Sequence, residues 1–341
     1  MIRVIVIGMG PIGIACARAV LDEAHLQLVG LLDVDPKKVG KTLDQCDEQA
    51  DPDDEPCHLR ITSSLDEAIG AGDAKADVAI LTTTSRFDLA APMILDLLSR
   101  GLHVISSCEQ MSWPWYRHED LARHIDAQAR LAGRVVLGTG VNPGFIMDSL
   151  AVSLTAVVRR VSAVRCTRRV QAGTRRKALQ SKIGATLRVE RFNELKAAGK
   201  IGHVGLPESV AMLGAGLGLR IAPGTIVETL EPVIADQPTP SAMGLIEPGM
   251  VAGIHNTASW QDQGVLLSLD LWMAVGLNDP KDVIEIEGPV QLRMKIPGSI
   301  PGDSATVAIL VNTLLNLASI QPGLRTMLDV PPSGCRGRDR D

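Results

Sequence analysis

The chain opens with a feature that leaves few folds available to it. Residues 2–7 (IRVIVI) are an apolar run, interrupted only by Arg3 and rich in β-branched side chains, and Gly8-Met9-Gly10-Pro11-Ile12-Gly13 follows at once. A continuous apolar strand is buried on both faces, as strands inside parallel sheets are. The glycine spacing is G-x-G-x-x-G, and helical periodicity then runs over 11–23. Strand, glycine turn and helix in this order predict the phosphate-binding turn of a dinucleotide fold. Gly8 permits the tight turn, Gly10 lets a pyrophosphate approach the backbone, and Gly13 lets helix and strand pack closely. Pro11 and Ile12 start the helix, whose first N–H groups and dipole favour an anion. A second apolar run, LQLVGLLDV over 26–34, carries Asp33 at its end, twenty residues beyond Gly13. An acid there accepts from the ribose hydroxyls of NAD and repels the 2′-phosphate of NADP. Lys37 and Lys38, just beyond, offset that repulsion. The expected cofactor is NAD or NADP.

Further apolar runs at 77–84, 103–107 and 134–140 alternate with helical patterns at 89–100 and 119–132, and Ser64 is placed to cap a short helix over 64–71. This alternation predicts βαβ units and a parallel sheet. Residues 41–60 are polar and acidic and read as a surface excursion. After Asn142-Pro143-Gly144-Phe145 the texture changes. Residues 158–176 are dense in arginine, and 226–235, 265–275, 283–288 and 290–296 alternate polar with apolar. The expected fold class is α/β: an N-terminal Rossmann domain over 1–144, and a second α+β domain over 145–302 with a mostly antiparallel sheet. An apolar helix within 303–322 is expected to return to the first domain, and 330–341 to be a disordered tail.

Composition excludes several classes. A formal net charge of -5 offers no basic face for nucleic acid. No apolar run reaches the roughly 18 residues of a membrane span, and the N-terminus is too quickly followed by glycines to be a signal peptide. Six scattered cysteines form no CxxC, so free thiols, no metal site and a cytoplasmic location are expected.

The carboxyl ends of parallel strands face a bound cofactor. Thr82, Thr83 and Thr84 end one strand and are suited to line it, or simply to cap the strand end. Ser107, Cys108 and Glu109 end the next, and Asn142-Pro143 follows the third. Glu109 is the candidate reactive acid. Trp113, Trp115 and Tyr116 follow it and are suited to wall an apolar pocket and raise its pKa. From the residues alone, an exposed loop glutamate is the commoner reading. Nothing around Cys108 points to a lowered thiol pKa.

Taken together, GMGPIG (8–13), DVDPKKVGK (33–41), VISSCEQMSWPW (104–115), GTGVNPGFIMD (138–148), LQSKIG (179–184), GHVGLPESVAM (202–212), ETLEPVIA (228–235) and PGDSAT (301–306) resemble the 2,4-diaminopentanoate dehydrogenase family. That family includes NAD(P)-dependent amine dehydrogenases and is built on the dihydrodipicolinate reductase fold. The resemblance spans residues 1 to about 320. It implies oxidative deamination of an amine or diamino acid to a ketone and ammonia, and the reverse reductive amination. It further implies Glu109 acting on amine and water, His203 and Glu208 near the substrate pocket, with His203 read equally as a supporting or capping histidine, and a homodimer formed through the second domain's sheet.

A diamino-acid carboxylate would need a cation, for which Arg168, Arg169, Arg176 and Lys182 are the candidates; a pocket with none points to a simple alkyl amine. Trp113, Arg168, Lys182 and His203 are the expected pocket residues. The chain lacks the His-His-x-x-Lys of dihydrodipicolinate reductases. It also has Gln110 where sugar and inositol dehydrogenases place a catalytic lysine. Two other readings stay open: an oxidoreductase acting on a hydroxyl group, and a non-catalytic NAD(P) sensor.

Overall fold

The continuous apolar strand at the N-terminus divides its side chains between two cores. A computed structural model describes residues 1–47, 56–70, 75–331 and 334. It resolves two units, Met1–Gly144 with Gly302–Asp341, and Phe145–Pro301. The first unit opens with β1 (Ile2–Ile7), α1 (Pro11–Leu21) and β2 (Leu26–Leu32). The short α2 (Leu43–Cys46), β3 (Ile61–Thr62) and α3 (Leu65–Ile69) come next. Ser64 caps α3 by accepting from the Glu67 amide. β4 (Val78–Leu81), α4 (Phe87–Ser99), β5 (His103–Ser106), α5 (Glu119–Ala132) and β6 (Val135–Gly138) complete the alternation.

In β1, Val4 and Val6 enter one core together with α1, while Ile5 and Ile7 enter the other with α4. Over Val4–Ile7 the strand is covered on both faces, so its run there is apolar rather than alternating, and the polar Arg3 lies at the half-buried start, paired with Asp77.

The second unit carries α6 (Ser149–Leu154), β7 (Ala163–Gln171), α7 (Lys177–Lys182), α8 (Val189–Ala197) and α9 (Leu206–Gly216). It continues with β8 (Val227–Ile234), the small hairpin β9 (Thr239–Ser241) and β10 (Gly244–Ile246), β11 (Val251–Asp262), β12 (Val265–Ala274), β13 (Lys281–Glu287) and β14 (Leu292–Pro297). The main sheet runs β14-β13-β7-β12-β11-β8. Every pair in it is antiparallel except β7 with β12. One face is apolar and packed; the other carries His255, Thr257, Asp270 and Trp272, all half-buried.

The chain then returns to the first unit as α10 (Gly302–Leu314) and β15 (Gly323–Arg325). With β15, the first sheet runs β15-β6-β5-β4-β1-β2-β3, parallel throughout. The α/β class with a second, mostly antiparallel sheet is as the sequence predicts.

Three features differ from the sequence reading. The apolar helix expected within 303–322 stops at Leu314, and the chain then adds a three-residue strand beside β6. Pro322 cannot continue a helix and Gly323 disfavours one, and the Leu324 amide is met by Asp126 Oδ1 at 2.9 Å. Val330, assigned to the tail, is buried in the first core. The remaining tail residues 332, 333 and 335–341, and 48–55 of the polar excursion, lie outside the described residues. Lastly, α9 and β11 are silent as periodic patterns. Residues 206–214 are buried on every side of α9, so no polar stripe marks it. β11 turns Asn256 inward among Ile254, Ala258 and Trp260, which blurs its alternation.

Candidate active site

All strands of the first sheet are parallel, so the carboxyl ends of β1, β4, β5 and β6 share one edge. The glycine turn follows β1. Gly8 has φ +92°, a left-handed conformation that a side chain resists, and a Cβ there would come within 2.9 Å of the Thr82 carbonyl. A Cβ on Gly13 would fall 1.9 Å from the Gly8 carbonyl. Nothing lies within 4 Å of a Cβ on Gly10, which leaves the space a pyrophosphate requires. Gly10 is the N-cap of α1 with no side chain capping it, and Pro11 starts the helix. The first N–H groups of a helix have no intrahelical acceptor and attract anions. The turn therefore fits a dinucleotide phosphate, with Ile12 and Gly13 in the helix's first turn.

Asp33, buried at the end of β2, holds the turn from the side. Its Oδ2 accepts from the Met9 amide at 2.8 Å and its Oδ1 from the Asp35 amide at 2.9 Å. Lys38 Nζ lies 3.1 Å from Oδ2. Desolvation raises this carboxyl, but the hydrogen bonds from Asp35, Lys38 and Met9 outweigh it and hold the group below the ordinary aspartate range.

Thr82 Oγ1 donates to the Gly8 carbonyl at 2.7 Å, so this threonine braces the turn. Thr83 is exposed beside it, and the half-buried Thr84 accepts from the Arg86 amide at 3.2 Å. After β5, the Ser107 amide bonds the Leu81 carbonyl. Cys108 is buried, which removes it as an accessible nucleophile.

Glu109 starts a 3₁₀ turn, Glu109–Ser112, whose backbone is pinned on both sides. The Gln110 amide donates to Ser85 O at 3.2 Å, Met111 N to Cys108 O at 3.0 Å, and Ser112 Oγ to Glu109 O at 2.9 Å. Gln110 Oε1 accepts from the Phe87 amide at 2.9 Å and so caps the start of α4. The residue that stands where related folds carry lysine is thus committed to structure, and the half-buried Glu109 is the acid this turn presents. Trp113 packs against Trp115 with ring centroids 5.2 Å apart.

After β6, the Val141 amide donates to Thr306 Oγ1 at 3.2 Å, which brings the PGDSAT segment to this strand end. The Asn142–Pro143 peptide bond is cis. Thr139 Oγ1 is buried here with no hydrogen-bond partner among the described residues.

In the second unit a small pocket is lined by Leu179, Lys182, Ile183, Gly202, His203, Ile254 and Met273. Lys182 ends α7, and Ile254 and Met273 are register partners on β11 and β12. His203 is half-buried. Desolvation, with the Lys182 and Arg168 charges, pushes its imidazole down to about 3, so the ring is neutral at ordinary pH. Arg168, an expected carboxylate ligand, is not in the lining. It is buried against Asp282, with Nη1 2.8 Å from both carboxylate oxygens and Nη2 2.7 Å from the Ile300 carbonyl. Arg169 lies over the Trp272 ring instead. Glu208 is buried in the first turn of α9. Its neighbour Ser209 donates to Asp148 Oδ2 at 2.7 Å, a bond to the cap of α6 that the sequence did not signal.

Comparison with known proteins concerns the family and the fold. Residues 145–340 match the family model described as the 2,4-diaminopentanoate dehydrogenase C-terminal domain. Residues 1–106 match the model described as a CoA binding domain. A curated 2,4-diaminopentanoate dehydrogenase from Acetoanaerobium sticklandii is 29% identical over 350 residues, covering 100% of this chain and 96% of its own. The solved structure of an amine dehydrogenase from Mycobacterium smegmatis superposes with TM-score 0.83 at 22% identity, covering 98% of this chain and 97% of that one. A biliverdin reductase from Synechocystis, solved with biliverdin and NADP+, shares the fold at TM-score 0.55 and 13% identity, over 96% of this chain and 94% of its own. The chain belongs to the 2,4-diaminopentanoate dehydrogenase family.

Proposed function

We propose that this protein is an NAD(P)-dependent amine dehydrogenase, which converts an amine or diamino acid to a ketone and ammonia and runs in reverse as a reductive aminase. The observation that carries the reading is Glu109, fixed on a pinned turn at the same sheet edge as the dinucleotide-type glycine turn. The nicotinamide, when bound, supplies the hydride acceptor, and the carbon bearing nitrogen becomes an iminium. Glu109 stabilises that cation and takes a proton from the water that adds to it. It returns the proton to the nitrogen and takes the hydroxyl proton as the C–N bond breaks. That proton then goes to the departing ammonia. Gly8, Gly10, Pro11, Ile12, Gly13, Asp33, Thr82, Thr83, Thr84, Ser107, Cys108, Asn142 and Pro143 would form the cofactor's surroundings, and Trp113 an apolar wall.

The second unit supports a carboxylate-bearing substrate. Its pocket has a volume of about 30 Å³, where a single water needs roughly 10–15 Å³. It therefore has room for about two water-sized groups. Lys182 supplies the charge, and neutral His203 supplies a directional hydrogen bond. Incubating the protein with NAD+ or NADP+ and a panel of short amines, diamino acids and alcohols, while following the reduced cofactor, tests both levels. Turnover of alcohols but not amines would sink the amine reading. Lys182→Met is expected to raise KM for diamino acids about tenfold and to leave simple amines within about twofold. An equal effect on both would remove the carboxylate role.

The half-buried sheet face around Trp272 supports a homodimer. His255 stacks on Trp272 at 3.8 Å and bonds Asp270 at 2.7 Å, which puts aromatic and polar groups together on this face. Light scattering is expected to give twice the 36.3 kDa chain mass; a monomeric mass at micromolar concentration counts against it. Among the described residues Cys16, Cys46, Cys57 and Cys166 form no disulfide, which supports a reducing, cytoplasmic location.

A further inference from the structure

We infer that Gln110 is the positioning residue that sets the reach of Glu109, and that its side chain serves the addition of water more than the loss of hydride. The inference rests on the amine dehydrogenase reading above and deepens it.

Gln110 holds the segment after β4 at two points. Its amide donates to Ser85 O at 3.2 Å, and its Oε1 accepts from the Phe87 amide at 2.9 Å. A backbone N–H can only donate, so the side-chain oxygen of Gln110, not its nitrogen, faces Phe87. The same oxygen lies 3.4 Å from Nε2 of His118, the residue before α5, which must then carry its hydrogen on Nε2. Arg86, the residue before α4, makes no side-chain cap. The helix therefore takes its cap from the glutamine beside the acid. The rest of the turn is fixed by burial. Cys108 and Met111 lie in the same core as Phe87. A Cβ on Gly138 would fall 2.2 Å from Met111 Cβ, so the turn sits directly against β6. Without the Gln110 side chain, residue 110 keeps only its amide bond to Ser85 on the other side, and the backbone carrying Glu109 can pivot about it.

The two tasks of Glu109 respond differently to such a shift. Proton transfer requires hydrogen-bond reach, about 2.6–3.2 Å. Charge stabilisation falls only as the inverse of distance, so a move from about 4 to about 5 Å keeps about four-fifths of it. A displaced Glu109 still steadies the iminium but no longer deprotonates the water that adds to it.

Gln110→Met keeps the length and removes the acceptor. Its kcat for amine oxidation is expected to fall about thirtyfold, within the hundredfold that a misplacement of about 1 Å can cost. KM for the amine and Kd for NAD+ or NADP+ should stay within about threefold. In single-turnover traces of the full chain, formation of reduced cofactor should stay within about threefold of wild type, while ammonia release slows about thirtyfold. Hydrogen exchange of the cofactor-free chain should show faster exchange at the Phe87 amide. Gln110→Glu keeps an oxygen for Phe87 and should return kcat to within about threefold of wild type. Gln110→Asn, one methylene short, should split the two phases in the same way, and it carries the test if the methionine variant folds poorly. Equal slowing of both phases, wild-type kcat in Gln110→Met and Gln110→Asn, or no rescue by Gln110→Glu would overturn the assignment while leaving the amine reading intact. A wild-type protein that oxidises no amine overturns that reading, and this inference with it.

Discussion

Glu109→Ala is expected to lower kcat for amine oxidation by about three orders of magnitude, within the range a positioned acid–base group contributes, with the Kd for NAD(P) unchanged within about twofold. The separation follows from where the side chain sits. The turn that carries it is held by the amides of Gln110 and Met111 and by Ser112 Oγ. On this turn these bonds use main-chain atoms of residues 108–111 and the Ser112 hydroxyl, not the Glu109 side chain, and the substitution keeps them. The glycine turn depends on Asp33, Thr82 and its own packing. Loss of the carboxylate removes the only group proposed to take a proton from water, so addition to the iminium must use solvent alone. Glu109→Gln keeps the size and loses the base, and should fall as far as the alanine variant. Steady-state kinetics with a cofactor titration on the same preparation decide it. A variant within tenfold of wild-type kcat would remove Glu109 from the mechanism.

The parts of this design that were legible in the sequence are the local ones. The strand, the glycine turn and Asp33 are encoded within 33 residues, and each residue type has one physical reason to be there. The alternation of strands and helices gave the sheet edge, and the edge gave Glu109. What stayed hidden depends on partners distant in the chain. Arg168 read as a free cation because Asp282 is 114 residues away. Gln110 read as a missing lysine, and its bond to the Phe87 amide showed what it does instead. Lys38 read as one of two cations near Asp33, and only geometry separated it from Lys37. A three-residue strand such as Gly323–Arg325 has too few positions to show a period, so it is invisible until β6 pairs with it.

Asp282→Ala is expected to destabilise the protein by about 3–5 kcal/mol, the usual result of removing one partner from a buried ion pair. Both members are almost fully covered, with side chains 3% and 2% exposed. Desolvation lowers the Arg168 pKa, and the Asp282 charge and hydrogen bond oppose that shift. Without Asp282 the guanidinium keeps the Ile300 carbonyl at 2.7 Å but no counter-charge. The loss extends to the backbone. Asp282 also accepts from Ser299 Oγ at 2.9 Å and the Ile300 amide at 2.7 Å. Ser299 has φ +60°, a left-handed conformation that a non-glycine residue adopts only when its surroundings hold it there. One carboxylate thus neutralises a buried cation and fixes a strained segment. The double variant Arg168→Met/Asp282→Leu separates the two effects. It leaves no buried charge, so the electrostatic part of the cost disappears, while the Ser299 and Ile300 donors still lose their acceptor. The double variant should therefore regain most, but not all, of the stability lost by Asp282→Ala, read as the urea midpoint of unfolding. A single variant that costs less than about 1 kcal/mol would mean that water reaches the pair, and the buried-pair account of Arg168 would fail.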